Sequence, residues 1–219
     1  MAMRTRLIAV LALFPWLLAN TLYGGELSET YFPLKEGMTW TYAIISDKHP
    51  TQKISITNLP PREINGLKLT PRKSQAGEST TYFLIGSDDW GIYRYGEQKS
   101  EESEPIITQP KDFYLRNPIS LGTTWDTYTK LDDNDLTITL VIESLSDEVT
   151  VPAGTFKDCV KIKHTGSNQK DGTGVSVEAY EWFAANVGLV KCLVVINKLE
   201  KEKPKDSEHL IYQLESFKP

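Results

Sequence analysis

Residues that could carry out chemistry are few and scattered in this sequence of 219 residues. The three histidines, His49, His164 and His209, lie far apart, and no His-x-His or Cys-x-x-Cys spacing gathers metal ligands. The acidic run at 132–135 offers carboxylates for calcium, but it lacks the glycine and the distal glutamate of an ion-binding loop. A polar hairpin turn over 130–136 explains the run better. We therefore predict no metal-binding residues and no cofactor.

Nucleophilic and acid–base catalysis also lack a suitable arrangement of side chains. Cys159 and His164 are five residues apart, and an odd separation on a strand places two side chains on opposite faces. The same argument separates Glu178 from Glu181 and excludes a paired-carboxylate site there. The Ser-x-x-Lys spacing at 167–170 falls in a polar stretch with no helix to hold it, and no Gly-x-Ser-x-Gly or phosphate-binding loop occurs. We predict no catalytic residues and no enzymatic activity.

The elements that would have to position any site are β-strands. After residue 25, apolar and polar residues alternate with a period of two, which is typical of strands with one buried face. The pair Asn65-Gly66 is a strong hairpin signal between two such runs, and we expect polar loops at 74–79 and 166–174. The clearest apolar faces are Met38, Trp40, Tyr42 and Ile44; Ile54 and Ile56; Leu136, Ile138, Leu140 and Ile142; and Val160 and Ile162.

The chain contains an internal repeat. Gly37-Met38-Thr39-Trp40 corresponds to Gly122-Thr123-Thr124-Trp125, 85 residues later. In both halves the same features follow in the same order: a polar alternating strand, a glycine turn, a polar loop and an aromatic strand. This order indicates two related halves. We predict a single all-β unit at 26–219, with a first repeat at about 31–96, a connector at 97–110 and a second repeat at about 111–217.

The one-sided strands determine the kind of fold that we expect. Because no amphipathic helix is available to cover the apolar faces, antiparallel sheets must bury them against each other or by curling. A β-sandwich and a barrel, closed or half-open, both satisfy this requirement.

The first 25 residues have the features of a signal peptide. Arg4 and Arg6 precede an apolar run at 7–18 that is too short to span a bilayer. We predict a signal helix at 1–25, export to the periplasm or the extracellular space, and no transmembrane span in the mature chain. The small residues near the cut form no clean cleavage motif, so an uncleaved anchor extending to Tyr23 remains the alternative.

An oxidising compartment invites a disulfide bond between Cys159 and Cys192. If 157–165, 175–183 and 188–197 form consecutive hairpins, one strand separates the two cysteines. Two strand spacings are roughly 9.5 Å, whereas bridged Cα atoms lie within about 7 Å of each other. We therefore predict two free structural thiols, on the condition that the strand order is sequential.

Several sequence motifs are specific enough to indicate a family. They are the segments at 31–34 (Tyr-Phe-Pro-Leu), 37–42 (Gly-x-x-Trp-x-Tyr), 150–156 (Thr-Val-Pro-Ala-Gly-Thr-Phe), 159–160 (Cys-Val) and 182–191 (Trp-Phe-Ala-x-Asn-Val-Gly-Leu-Val-Lys). In that order, and over most of the mature chain, they resemble exported bacterial proteins of unknown function similar to the DUF3108 family. The resemblance implies β-architecture and a cell-envelope location, and it implies no catalytic residues.

The last motif departs from the family pattern, Trp-Tyr-Ala-Pro-Gly-Val-Gly, at Phe183 and at Ala185-Asn186. We expect the turn to survive, because asparagine tolerates the left-handed conformation that glycine would supply. Turn and core chemistry accounts for the other motif residues, and we expect Phe156 to be a core anchor.

The functional hypotheses rest on charge and on the aromatic strands. The net charge of −5 and the lack of a basic stripe argue against nucleic acid as a partner. If the sheet curls without closing, its concave apolar face forms a groove for an apolar or lipid-like ligand, by analogy at fold level with exported half-barrels that carry lipids. The aromatic residues expected on strands are Trp40, Tyr42, Tyr82, Phe83, Tyr93, Trp125, Tyr128, Tyr180 and Trp182.

Two alternatives to a non-enzymatic lipid binder remain. The first is a structural or protein-interaction β-module with no small ligand, whose exposed edge strands pair with an envelope protein partner. The second is a hydrolase whose site is assembled from distant residues. It requires a cleft where His164 or His209 meets a carboxylate and a nucleophile.

Overall fold

The computed structural model describes residues 24–131 and 134–219 and shows an almost purely antiparallel β-protein. Within these residues, one short helix, α1 (Gly24–Tyr31), precedes thirteen strands. The strands are β1 (Thr39–Ser46), β2 (Gln52–Asn58), β3 (Arg62–Ile64), β4 (Leu67–Ala76), β5 (Ser79–Asp88), β6 (Gly91–Gln98), β7 (Ile106–Arg116), β8 (Thr124–Leu131), β9 (Asn134–Val151), β10 (Gly154–Lys170), β11 (Thr173–Ala184), β12 (Gly188–Glu200) and β13 (Lys203–Lys218). The all-β prediction is confirmed. The predicted signal helix lies outside the described residues, apart from Gly24 and Gly25 at the start of α1.

Within each half of the chain, strands that follow one another in sequence are also neighbours in the sheet, apart from β3. The order is β7-β6-β5-β4-β2-β1-β13-β12-β11-β10-β9-β8, so β1, β2 and β4–β7 form one meander and β8–β13 form a second. The meanders join where β1 pairs antiparallel with β13. The short strand β3 pairs only with β4, to which it is joined by the turn at Asn65 and Gly66. The φ angles of these two residues, 52° and 75°, fit a type I′ hairpin. The hairpin predicted there is confirmed.

Both meanders begin with the same turn. Gly37 and Gly122 take similar positive φ angles, 81° and 83°. In each turn the glycine N–H donates to a backbone carbonyl of the second strand that follows it. Gly37 donates to Asn58 of β2 at 3.0 Å, and Gly122 donates to Ile142 of β9 at 2.9 Å. Trp40 and Trp125, three residues after each glycine, are both buried. These matching turns lie at the two glycines on which the predicted internal repeat rests.

The sheet curls until its two end strands meet, so the fold is a nearly closed barrel. In the described part of the chain no backbone ladder joins β7 to β8, and side chains bridge them instead. Nε1 of Trp125 donates to the carbonyl of Phe113 at 3.0 Å, and Oγ1 of Thr127 donates to the carboxylate of Asp112. We call these four residues the seam.

Residues 28–35, here called the N-terminal strap, cross one end of the barrel. The ring of Phe32 stacks on Tyr114 of β7, with centroids 5.1 Å apart. The carbonyl of Pro33 accepts a hydrogen bond of 3.1 Å from Nδ2 of Asn58 at the end of β2. Because β7 and β2 lie far apart in the sheet, the strap covers the space between them.

Two clusters of buried apolar residues form the core. The alternation predicted for the first half of β9 is confirmed, since the four apolar residues of the predicted face all belong to the first cluster: Leu136, Ile138, Leu140 and Ile142. The second cluster lies around Trp40 and Tyr42 of β1. Phe156 packs at its edge, with its ring centroid 6.4 Å from that of Phe217, as expected for an anchor of the β9–β10 hairpin.

The predicted polar loops at 74–79 and 166–174 are wrong. The strands β4 and β5 leave only two residues between them, and β10 and β11 turn at 171–172. Polar side chains do not end these strands, because each strand satisfies its backbone hydrogen bonds on its neighbour even where the side chains face solvent. The Ser-x-x-Lys spacing at 167–170 therefore lies on a strand.

The cysteines lie where the sequential strand order predicts. Cys159 is on β10 and Cys192 on β12, with β11 between them, and both are buried free thiols. The stretch 97–110, predicted as a connector, includes the start of β7. Over residues 24–131 and 134–219, no helix is long and apolar enough to cross a membrane.

Candidate ligand cavity

The interior of the barrel contains two adjoining cavities. The first, here called the strap cavity, has a volume of about 160 Å³ and lies beside the N-terminal strap between β1, β4, β5, β7 and β11. The second, the seam cavity, has a volume of about 350 Å³ and lies between the seam and the inner faces of β9–β12. Tyr114 and Glu181 line both cavities, so the two spaces adjoin.

Apolar side chains make up most of the walls of both cavities. Their positions follow from strand alternation, which turns every second residue of a curled sheet toward the interior. The strap cavity is lined by Phe32, Trp40, Ile56, Phe83, Phe183 and Leu189. The seam cavity is lined by Leu131, Ile138, Leu140, Val177, Ala179 and Ile196. An apolar chain would find dispersion contacts along the whole length of this space.

An ionisable pair projects from β10 and β11 into the seam cavity. His164 follows Val160 and Ile162 in the same alternation, and Glu181 precedes Phe183, so both side chains share the inner face with apolar residues. Nε2 of His164 lies 3.1 Å from Oε2 of Glu181. Their side chains are 17% and 23% exposed, and this exposed surface faces the cavity.

A second charged pair lies on the opposite wall, next to the seam. Nη2 of Arg94 on β6 lies 2.7 Å from Oδ2 of Asp112 on β7, and the same carboxylate accepts the hydroxyl hydrogen bond of Thr127. The guanidinium of Arg94 lies 5.9 Å from the ring centroid of Phe83. Its Nε is buried and has no hydrogen-bond partner within residues 24–131 and 134–219. The pair therefore links three strands and leaves one donor unsatisfied beside the cavity.

Arg72 of β4 is a third charged group inside the barrel, and its protein partners are neutral. Nε donates to Oδ1 of Asn58 at 2.9 Å and Nη2 donates to the carbonyl of Pro33 at 3.0 Å. The guanidinium lies 4.1 Å from the ring centroid of Phe32 and 4.9 Å from that of Trp40. Burial lowers the pKa of Arg72 to about 10, so the group is cationic at neutral pH.

The interior tyrosines act as neutral hydrogen-bonding groups. The hydroxyl of Tyr42 donates to the carbonyl of Leu189 at 2.8 Å. Burial raises the pKa of Tyr42 well above its ordinary value and raises the pKa of Tyr114 to about 12. Both phenols therefore keep their protons at neutral pH and cannot serve as bases there.

Neither cysteine supplies an activated nucleophile to the His164–Glu181 pair. Cys192 of β12 pairs with Glu181 in the sheet register, but burial raises the pKa of this thiol well above its ordinary value, and the protonated thiol is a poor nucleophile. Cys159 packs in the other apolar cluster, beyond a bulge in β10. Burial raises its pKa to about 11.

The remaining side chains considered from the sequence lie apart from the cavities. His49 is exposed, 3.7 Å from Glu208, and His209 is exposed on β13. Glu178 accepts the hydroxyl hydrogen bond of Tyr180 on the outer face of β11. Asp132 and Asp133 lie outside the described residues. Among residues 24–131 and 134–219, no three metal-binding side chains are close enough to hold an ion.

Comparison with known proteins bears on this region. A protein-family profile described as DUF3108-like matches residues 142–193. The resemblance stated above is confirmed over that part of the chain. This DUF3108-like region runs from β9 into β12 and contains both His164 and Glu181.

Two solved structures are similar in fold. One is a protein predicted to be exported, with a YmcC-like fold, from Bacteroides fragilis; it is 16% identical, covers 87% of this chain and 99% of its own, and has a TM-score of 0.47. The other is a predicted lipoprotein from Parabacteroides distasonis; it is 15% identical, covers 86% of this chain and 99% of its own, and has a TM-score of 0.43. No curated protein matches the sequence.

The sequence identified His164 as a residue that could meet a carboxylate, but Arg94 and Arg72 inside the barrel were missed. The parity of strand positions could have placed both His164 and Arg94 inside, because His164 continues the apolar phase of Val160 and Ile162, and Arg94 continues that of Ile92. An ionisable residue on the apolar face of a strand marks a polar group turned inward. The sequence around Arg72 does not show that its side chain points inward, because polar and apolar residues do not alternate along β4.

Proposed function

We propose that this chain is an exported cell-envelope protein that binds an apolar or lipid-like molecule inside its barrel and does not change it chemically. The proposal depends on one observation: two adjoining, mostly apolar cavities occupy the barrel interior. The seam cavity, at about 350 Å³, lies within the size range of ligand sites, roughly 300–1,000 Å³. Well-packed interiors have few voids larger than a water molecule, so space of this kind favours a binding role.

The cavity lining, mostly apolar with a few polar side chains, favours a ligand that has an apolar body and a polar end. Aromatic and aliphatic walls provide the burial that draws a hydrocarbon out of water. The few polar groups are held in place by partners, as in the Arg94–Asp112 and His164–Glu181 pairs. Fixed polar groups among apolar walls are typical of small-molecule sites, in which they orient the ligand.

A binding role is favoured over hydrolysis because the ionisable groups hold one another. Nε2 of His164 is already occupied by Glu181. Cys192 is kept as a thiol by burial. A general base needs a nucleophile within hydrogen-bond reach whose proton it can take, and this arrangement supplies none that is activated.

Export to the cell envelope is also a proposal, and two observations support it. The apolar run at 7–18 behind two arginines has the form of a signal peptide, and the two similar structures are described as a predicted exported protein and a predicted lipoprotein.

Native mass spectrometry of the protein, purified without detergent from an exporting host, tests the binding function. We expect an additional mass of lipid size that is released on denaturation. The variant Ala179→Phe, which fills the seam cavity from its buried wall, should retain less of that mass. The control Ala185→Phe makes the same change in the exposed β11–β12 turn and should retain it. A bare mass in the wild type, with no uptake of added lipid, would contradict the function.

A second candidate function, protein interaction by strand addition, is favoured by one segment of β7. Residues 106–110 (Ile-Ile-Thr-Gln-Pro) carry no charge, and Ile106 is 57% exposed. Among the described residues, this part of β7 pairs only with β6, so its outer edge is open to a partner strand. A dimer or mixed complex in the native spectrum that disappears in Ile106→Lys would support this candidate.

A further inference from the structure

Arg72 differs from Arg94 because, among the described residues, no carboxylate forms an ion pair with it. In the described part of the chain its hydrogen bonds go to the amide oxygen of Asn58 and the carbonyl of Pro33. Glu181 also lines the strap cavity, where its carboxylate lies against His164, and the carboxylate of Asp112 lies against Arg94. The buried cation is therefore satisfied by dipoles and aromatic faces rather than by an opposite charge.

This arrangement has an electrostatic consequence. Removing a charge from water is unfavourable unless an opposite charge or strong hydrogen bonds replace the solvent. A guanidinium has five N–H donors, and its described bonds use one on Nε and one on Nη2. Arg72 also lines the strap cavity, so the part of its side chain that neighbouring atoms leave uncovered faces that space. An anion placed there would meet a cation with free donors in a region of low polarity, where their attraction is strong.

The shape of the space limits the kind of anion. The strap cavity is small, about 160 Å³, and suits a compact head group such as a carboxylate. The walls beside Arg72 are the rings of Phe32, Trp40 and Phe83. The adjoining seam cavity continues with aliphatic side chains, including Ile138 and Leu140, so it can hold the hydrocarbon tail.

We propose that the ligand is a single-chain amphiphile with a carboxylate head, such as a fatty acid, and that Arg72 binds the head while the tail extends toward the seam cavity. This inference rests on the proposed binding function and specifies its ligand class. Arg72 also holds the N-terminal strap through Pro33. The experiment therefore has to distinguish two roles of Arg72: binding the anionic head group and holding the strap in place.

The experiment compares two probes with the same hydrocarbon chain, oleate and oleyl alcohol, binding to the delipidated full-length protein at pH 8, measured by titration calorimetry. The wild type should bind oleate more tightly than the alcohol. Arg72→Met should weaken oleate binding by on the order of 10- to 100-fold, the range expected for one charged hydrogen-bonded pair. It should change binding of the alcohol by less than about threefold, since an uncharged head gains little from the guanidinium.

Two further variants keep the result interpretable. Arg72→Lys retains the charge without the forked geometry, so it should bind oleate more tightly than Arg72→Met does. Arg116→Gln removes a cation that packs on the rings of Trp90 and Phe113 and lines neither cavity, and it should leave both affinities unchanged. Circular dichroism checks that each variant is folded.

The outcomes separate the two proposals. Equal wild-type affinities for oleate and oleyl alcohol would overturn the role of Arg72 while leaving the binding function intact, and this result needs no variant to fold. If the Arg72→Met variant is folded and binds oleate as tightly as the wild type, the proposed role of Arg72 is wrong as well. If neither probe binds the wild type, both the ligand class and the binding function are wrong.

Discussion

The seam is the part of the barrel where a single substitution should have the most informative effect. Trp125 is 5% exposed, and its Nε1 donates to the carbonyl of Phe113 across the gap between β8 and β7. Trp125→Phe keeps an aromatic ring and removes the donor. The substitution removes one hydrogen bond and leaves a half-buried carbonyl without this partner, which costs about 1–3 kcal/mol. We expect the free energy of unfolding to fall by about 2 kcal/mol.

Urea denaturation followed by circular dichroism measures this loss. For a slope of about 2 kcal/mol/M, the midpoint should fall by about 1 M. Amide exchange should also increase selectively in β7 and β8, since the barrel opens where no backbone ladder crosses. The control Trp90→Phe changes a tryptophan that is 62% exposed, and it should stay within about 0.5 kcal/mol of the wild type.

A double-mutant cycle extends the test to the second seam contact. Thr127→Val removes the hydrogen bond to Asp112 and should cost about 1 kcal/mol. Because both contacts bridge the same two strands, the double variant should deviate from additivity by at least about 0.5 kcal/mol. An unchanged midpoint for Trp125→Phe, with unchanged exchange in β7 and β8, would refute the conclusion that these side chains hold the barrel closed.

Three further predictions follow from local features. Hydrogen bonds from Ser144 and from the indole of Trp182 hold the pKa of Asp147 below its ordinary value, so its stabilising effect is present above the unfolded pKa of about 3.9 and is lost as pH falls through the lower folded pKa. Asp147→Asn should therefore be less stable than the wild type by about 1 kcal/mol at pH 7, and this difference should shrink as pH falls from neutral to acid. Urea titrations across that range measure it, and a difference that stays constant with pH would contradict the prediction. Asn186 has a φ of 61°, so Asn186→Gly should leave the melting temperature nearly unchanged while Asn186→Val lowers stability by about 1–3 kcal/mol; equal effects in calorimetry would rule out a left-handed turn. Cys159 and Cys192 are buried with raised pKa values, so a thiol reagent at pH 8 should label them only after urea unfolding, and rapid labelling of the native protein would show that they are accessible.

The alternation of apolar and polar residues and the turn-forming residues predicted much of the architecture. Alternation in β9 specified its buried face, because successive side chains of a strand point to opposite sides. Asn65-Gly66 specified a hairpin, because few residue pairs take two positive φ angles without strain. Asn186 could likewise replace glycine in the β11–β12 turn. These features depend on residues that are close in sequence.

Strand length was harder to read from composition. The stretch 166–174 is rich in glycine and polar residues, yet it continues β10 and β11 up to a two-residue turn. Pairing with the neighbouring strand satisfied the backbone there, and this tertiary effect overrode the local preference for a loop.

Only the tertiary structure decided how the sheet closes and what its interior contains. A one-sided sheet can bury its apolar face in a sandwich or by curling, and local sequence does not distinguish the two. Contacts between residues far apart in the chain, such as β1 with β13, brought the two meanders into one nearly closed sheet. The cavities, and the position of Arg72 beside the N-terminal strap, exist only after this closure. Residues from five or more strands shape that space, and no local pattern specifies how distant strands will face one another.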